Sequence, residues 1–249
     1  MSQIDRLSSL VSRFAIHTQT VSDIDLANML IAGEAGNPKS LVLNPRMERN
    51  FYSSVHVLAA LKVDFGGEAS PVLDALPDTI TIDLTTSTEV SAIAQLILSE
   101  IKPKRCGGQF ALDKLCEFLM VNLLRNLIEN RTAESGVLAG LAHPNLSGAI
   151  VAIHDWPGKN WRLDDFVDLS GMSRSQFMNE FQGIVGKSPM AYLKQWRMTL
   201  ARNALLNGER VKETARKFGY GSGDAFTRAF TQAYGISPTR MISLDTRPQ

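Results

Sequence analysis

Two stretches near the C-terminus place hydrogen-bonding side chains directly after a serine that can begin a helix. In the first stretch, Ser173 is followed by Arg174, Ser175, Met178 and Asn179, which fall on one side of the predicted helix. An arginine can donate two hydrogen bonds to guanine and an asparagine can pair with adenine, whereas Met178 offers only an apolar contact, for example to a thymine methyl group. The first stretch therefore carries side chains that can read base edges.

The second stretch has the same layout with different chemistry. Ser222 is followed by Gly223, Asp224, Thr227 and Arg228 at the matching positions. Gly223 has no side chain, and Asp224 repels phosphate unless it accepts a hydrogen bond from cytosine N4. Arg228 has two interpretations, a base contact or a partner for a phosphate or an intramolecular carboxylate. We therefore expect the first stretch to contribute more of any sequence discrimination than the second.

Both stretches lie inside a repeated unit that begins with a short amphipathic helix and turns at a glycine, Gly171 or Gly219. A second helix follows, and it buries two aromatic residues spaced four apart, which are Phe177 and Phe181 in one copy and Phe226 and Phe230 in the other. Each unit closes with Gly-x-Ser-Pro, at 186–189 and at 235–238. Such a unit is a helix-turn-helix, which presents one helix to the major groove of DNA.

The segment between the two units, residues 190–206, contains no helix breaker. It predicts one connecting helix of about 16 residues, which spans about 24 Å. A rigid connection suits two helices that enter successive major grooves about 34 Å apart. Backbone N–H groups at helix starts and basic side chains also bind phosphates. The predicted phosphate contacts are Ser173, Ser188, Lys194, Arg197, Ser222 and Ser237.

Charge is distributed unevenly along the 249 residues, although the formal net charge is only +1. Residues 1–150 hold 12 basic and 16 acidic side chains, whereas residues 151–249 hold 14 basic and 9 acidic ones. The basic half is therefore the half expected to meet a polyanion. The composition, 44% hydrophobic and 20% charged, excludes a collagenous or mainly disordered chain. The only two cysteines, Cys106 and Cys116, have no zinc-site spacing.

The first part of the chain reads as mixed α and β structure. Strand patterns cover Leu41–Leu43, Val55–Phe65 and Thr79–Leu84, and helical periodicity covers Thr88–Glu100 and Gln109–Glu129. The apolar stripe of the second helix is wider than is needed to pack against one neighbouring element. Leu112, Leu119 and Leu123 are predicted to form a ridge for a second subunit, with core packing as the alternative.

Residues 148–245 resemble the AraC/XylS family of bacterial transcription regulators, whose DNA-binding domain is a double helix-turn-helix. Four motifs carry the resemblance: Arg-Met-x-x-Ala at 197–201, Phe-Gly-Tyr-x-Ser at 218–222, Phe-x-Arg-x-Phe at 226–230, and Gly-x-Ser-Pro-x-x-Met at 235–241. The part before them is similar to the cupin-type sensor domain that often precedes this DNA-binding domain. That similarity is best over Gly66–Leu84 and the two helices that follow.

The resemblance implies a two-domain fold. Residues 1–135 are expected to form an α+β effector or dimerisation domain, with a shortened cupin-like β-structure plus two helices. Residues 136–147 are expected to form a linker. Residues 148–245 are expected to form an all-α domain in which two helix-turn-helix units are joined by a long helix.

The implied function is sequence-specific regulation of transcription on double-stranded promoter DNA, with an activator that contacts RNA polymerase as the expected form. A small molecule bound by the N-terminal domain would modulate it, and a homodimer is an expected assembly. The alternative is an N-terminal domain that dimerises or binds a protein without any ligand. No catalytic or metal-binding constellation is present, so the sequence predicts no enzyme activity, cofactor or metal. Without a signal peptide or a membrane-length apolar run, a cytoplasmic protein is expected.

Overall fold

The computed structural model describes residues 5, 7–11, 16–47, 56–65, 73, 76–101, 105–129 and 135–245. These residues divide between two compact units. One unit lies within residues 14–133. The other lies within residues 134–249 and also includes a short N-terminal helix, α1 (Ser8–Val11). Among the described residues, no helix is both long and apolar enough to cross a bilayer.

The N-terminal unit is built on a five-stranded antiparallel sheet with the order β1-β4-β2-β3-β5. The strands are β1 (His17–Thr20), β2 (Met29–Glu34), β3 (Asn37–Leu43), β4 (Val57–Asp64) and β5 (Ile80–Asp83). Strands β3, β4 and β5 confirm the three predicted strands. Val55 lies outside the described residues, as do residues 66–72, 74 and 75 of the segment similar to cupins. Strands β1 and β2 were not predicted, because β1 is short and polar and β2 shows no apolar–polar alternation.

Two helices pack together in this unit, α2 (Thr88–Ile101) and α3 (Gly108–Glu129). Both were predicted within one or two residues. Helix α2 packs against β3 and β4, and α3 packs against β1. Because the register pairs Ile31 with Leu41 and Met29 with Leu61, these fully buried side chains line one face of the sheet. The expected combination of a cupin-like antiparallel sheet and two helices is therefore confirmed.

The predicted subunit ridge on α3 is wrong in its choice of residues. Leu112, Leu119 and Leu123 are 4%, 0% and 2% exposed, so these side chains do not form a surface ridge that a second subunit could contact. They are core residues, because α3 turns this side toward α2 and the sheet. The same helix leaves Phe110 and Phe118 exposed instead.

The C-terminal unit is helical. Its helices are α4 (Val137–Ala142), α5 (Ser147–Asp155), α6 (Leu163–Ser170), α7 (Arg174–Val185), α8 (Pro189–Leu206), α9 (Val211–Lys217), α10 (Gly223–Tyr234) and α11 (Pro238–Asp245). Helix α8 is the predicted connecting helix, uninterrupted over 18 residues. It packs against helices of both repeats.

The segment expected to be a linker, 136–147, differs in the structure. It contains α4, whose Val137, Leu138 and Leu141 are buried against α5 and α7. The amide of Gly136 also donates to the carbonyl oxygen of Ile184 at 2.8 Å. A linker would leave such side chains in water, so the C-terminal unit begins near residue 134. Helix α1, expected in the N-terminal domain, belongs to the C-terminal unit, where it packs against α5.

Candidate nucleic-acid interface

The two repeats form two helix-turn-helix units of matching geometry. Helices α7 and α10 each have 12 residues. The side-chain oxygens of Ser173 and Ser222 accept from the amides of Gln176 and Ala225, at 3.4 and 3.1 Å. The preceding turns need a left-handed residue, and Gly171 (φ 66°) and Gly219 (φ 77°) supply it without a Cβ penalty.

Aromatic packing fixes which side of each helix faces solvent. Phe177 and Phe181 of α7 are fully buried, with ring centroids 5.5 Å apart. Phe226 and Phe230 of α10 are also fully buried, with ring centroids 5.6 Å apart. Since these rings define the inward stripe, the polar residues between them must point outward.

The predicted base-reading residues of α7 lie on this outward side. Arg174, Ser175 and Asn179 are exposed, and Met178 is half-buried. Arg174 is not free, because its Nη1 lies 2.8 Å from Oδ1 of Asp164 at the start of α6. Asp164 was not among the predicted site residues. Gln176 was not predicted either, although it is exposed in the first turn of α7, where its side-chain amide donates to Glu180 at 3.1 Å. Helical periodicity could have identified Gln176.

On α10, Asp224 and Arg228 are exposed, while Gly223 and Thr227 are half-buried. Among the described side chains, none lies within hydrogen-bond or ion-pair distance of the Arg228 guanidinium. Asp224 places a negative charge in the first turn of the helix. The two helices therefore present different chemistry from equivalent positions.

The four serines predicted as phosphate contacts all stand at helix starts. Ser188 and Ser237 accept from the amides of Ala191 and Arg240, both at 3.3 Å, and so cap α8 and α11 as Ser173 and Ser222 cap α7 and α10. Capping satisfies one of the four free amides of each helix start and leaves others for an anion. Lys194 is exposed on α8 and donates to Gln232 of α10 at 2.7 Å.

Arg197 is placed differently from the prediction. Its Nε donates to the carbonyl oxygen of Pro157 at 2.6 Å, and its Nη2 donates to that of Lys159 at 2.7 Å. Burial lowers the pKa of this guanidinium from its ordinary value, an effect that nearby Tyr220 partly offsets. The side chain is thus held by the loop between α5 and α6, a long-range contact that no local sequence pattern indicates.

Comparison with known proteins agrees with this architecture. Residues 167–243 match a family model described as a helix-turn-helix domain, and residues 5–129 match one described as cupin. The HTH-type transcriptional regulator AlkR of Acinetobacter baylyi is 34% identical over 174 residues, which cover 68% of this chain and 57% of AlkR. A putative AraC-like transcription regulator of Streptomyces lividans is 31% identical over 179 residues, which cover 70% of this chain and 59% of the relative.

A third relative is the RCS-specific HTH-type transcriptional activator RclR of Escherichia coli, 25% identical over 171 residues, which cover 67% of this chain and 60% of RclR. The matched regions thus span less than two thirds of each relative's length. The two family models that match this chain, the descriptions of the relatives and the order of the two units along the chain agree. The chain belongs to the AraC/XylS family of transcription regulators.

Proposed function

We propose that this protein is a sequence-specific DNA-binding regulator of transcription that reads two successive major grooves of promoter DNA with α7 and α10. The observation that carries the proposal is the paired outward faces of these helices. Each starts at a serine cap, buries its phenylalanines completely and exposes polar side chains in its first two turns. One helix-turn-helix would reach a single groove, whereas two units on a continuous connecting helix suit two.

Charge supports the same function. The basic excess lies in residues 151–249, which contain both units. In the proposed complex, Asn179 and Arg174 contact base edges, whereas Lys194 and the amides at the four serine-capped helix starts contact phosphates. Arg174 reaches a base only after leaving Asp164.

The test is to map the genomic fragments that the 249-residue chain binds and then to measure its affinity for one mapped site and for scrambled DNA. We expect the mapped site to bind at least about a thousandfold more tightly. Equal affinity for both would overturn the proposal. The variant Arg228→Ala then distinguishes two roles of this side chain. If Arg228 contacts a phosphate, the variant lowers the slope of log affinity against log salt concentration by about one on every duplex. If it contacts a base, the variant relaxes the base preference at one position of the site.

We further propose that the N-terminal unit binds a small-molecule effector and that the protein activates transcription. The match to a cupin model supports the first part, and the description of RclR as an activator supports the second. Calorimetry with candidate metabolites tests the effector. Consistent absence of binding heat, together with unchanged affinity for DNA, would favour the ligand-free interaction module instead.

Activation, with contact to RNA polymerase in the cytoplasm, is tested by transcription in vitro from a mapped promoter with purified polymerase. We expect more transcript when the regulator is added, and less transcript would identify a repressor. Sedimentation of the free protein and of its DNA complex tests the proposed homodimer.

A further inference from the structure

The loop between α5 and α6, residues 156–162, is a preformed turn at the entrance to the first helix-turn-helix. The amide of Lys159 donates to the carbonyl oxygen of Trp156 at 3.1 Å, and the amide of Trp161 donates to that of Lys159 at 2.8 Å. The indole of Trp161 also donates to the Trp156 carbonyl oxygen at 2.9 Å, and the Lys159 ammonium lies 3.8 Å from the centre of the Trp161 ring. These bonds hold the backbone carbonyls of the loop in defined directions.

Two of those carbonyls bind Arg197 in the connecting helix. The guanidinium donates to Pro157 and Lys159 through two different nitrogens, at 2.6 and 2.7 Å, so both its distance and its orientation are set. A charged donor strengthens such bonds, and partial burial limits competition from water. The entrance loop of the first repeat is therefore attached to the middle of α8.

The same loop touches the turn of the second repeat. A Cβ on Gly158 would overlap the carbonyl oxygen of Lys217, and a Cβ on Gly219 would lie 2.8 Å from the carbonyl oxygen of Gly158 and 3.1 Å from Nη2 of Arg197. Only glycine at both positions permits this approach. Gly158, Gly219 and Arg197 thus meet where the first repeat, the connecting helix and the second repeat come together, and we name these three residues the junction.

We propose that Arg197 is a positioning residue that sets the separation of the two DNA-reading helices. The inference rests on the proposed function. Helix α8 joins the two repeats and packs against helices of both. That packing is mainly apolar and sets orientation less strictly than hydrogen bonds to fixed carbonyls do. The bonds from Arg197 attach a loop that lies about 40 residues earlier in the chain to α8, at the place where the turn of the second repeat packs against both. If α7 and α10 are held at a fixed separation, both can bind at once only when the two half-sites have the matching spacing. At other spacings only one helix binds, and the protein loses the affinity gained from binding both half-sites together.

The experiment uses the 249-residue chain and four duplexes built from a mapped site: the native spacing, a spacing increased by five base pairs, and each half-site alone. Wild type is expected to bind the native spacing at least about tenfold more tightly than the altered one. Arg197→Met, which keeps the length of the side chain and removes its donors, should reduce this ratio to about threefold or less while affinity for each half-site stays unchanged.

Arg216→Met is the matched control, because it removes the same group from an exposed position on α9. If it weakens binding at all, it should do so on the duplexes that contain the second half-site, and it should keep the wild-type ratio between the native and the altered spacing. A folded Arg197→Met protein that retains the full spacing preference overturns the proposal, as does an Arg216→Met protein that loses it. If Arg197→Met does not fold, Gly158→Ala takes its place, since it disturbs the junction from the loop side with the same expected loss of preference.

The two proposals fail in different ways. A wild-type protein without any sequence preference refutes the proposed function. A wild-type protein that prefers one spacing, together with an Arg197→Met variant that prefers it equally, refutes only the role of Arg197.

Discussion

Asn179 and Arg228 occupy the same position on two matched helices: each is the exposed sixth residue of a 12-residue helix that begins at a serine cap. The repeat thus presents a neutral amide from α7 and a cation from α10 at equivalent places. An amide can discriminate adenine by paired hydrogen bonds, whereas a guanidinium binds either guanine or phosphate. The two helices are therefore expected to contribute unequally to specificity.

Asn179→Ala should cost about 1–3 kcal/mol at the mapped site and relax base preference at one position. The reason is that the variant loses hydrogen bonds to a base edge while the phosphate contacts remain. Competition binding against a set of single-base variants of the site measures both effects. Gln182→Ala, an exposed residue nearer the end of the same helix, is the control and should change neither. Equal weakening of Asn179→Ala on random DNA would show a phosphate contact instead.

Asp164→Asn should raise affinity for the mapped site by about 1.4- to fivefold, because an exposed ion pair of about 0.2–1 kcal/mol no longer competes for Arg174. Titration of a labelled duplex at fixed salt measures the change. Asp168→Asn removes the same charge from an exposed position one turn further along α6. If both variants gain affinity equally, the effect comes from the lost negative charge and not from the release of Arg174.

Leu119→Ala should lower the free energy of unfolding by about 2–5 kcal/mol, because this side chain is fully buried on α3 and its removal leaves a cavity. Urea denaturation followed by circular dichroism measures the loss. Phe118→Ala on the same helix changes a side chain that is 55% exposed and should cost much less. If Leu119→Ala instead leaves the free energy of unfolding unchanged and lowers the sedimentation coefficient, then Leu119 lies at a subunit interface, as the sequence predicted.

The free energy of unfolding should fall as pH rises above about 9, because the thiol of Cys116 is buried. Burial raises the pKa of its thiol from 9.0 to about 11. In the pH interval between these values the unfolded thiol ionises while the folded one stays protonated, so the unfolded state binds fewer protons and gains stability. Urea midpoints of wild type and Cys116→Ala should therefore converge between pH 9 and pH 11. A constant difference between the two proteins across that interval would contradict the buried, neutral thiol.

A related expectation concerns thiol reactivity. Cys106 is exposed and Cys116 is buried. At pH 8 a thiol reagent should modify Cys106 quickly in the native protein and reach Cys116 only after denaturation. Two fast-reacting thiols in the native state would show that the helix α3 opens readily.

Local interactions made helices α7 and α10, which we propose to read DNA, predictable from sequence. Serine caps, glycine turns and aromatic residues four apart all act within one or two helical turns, so the periodicity of the chain already indicates which face is buried. The 18-residue α8 was predictable for the same reason, since no proline or glycine interrupts it. Because the two repeats align, the exposed positions near the start of each second helix identify the candidate base-reading residues.

Only the tertiary structure decided the roles of Arg197, Leu119 and the segment 136–147. Arg197 bonds to carbonyls that lie 40 and 38 residues away, and the burial of Leu119 depends on α3 packing against α2 and the sheet. Strand β1 likewise pairs with a strand more than 40 residues later. Sequence patterns report which side of a segment is apolar, because that depends on neighbours along the chain. What covers that side, and which backbone a long side chain reaches, depends on distant segments that meet only after folding.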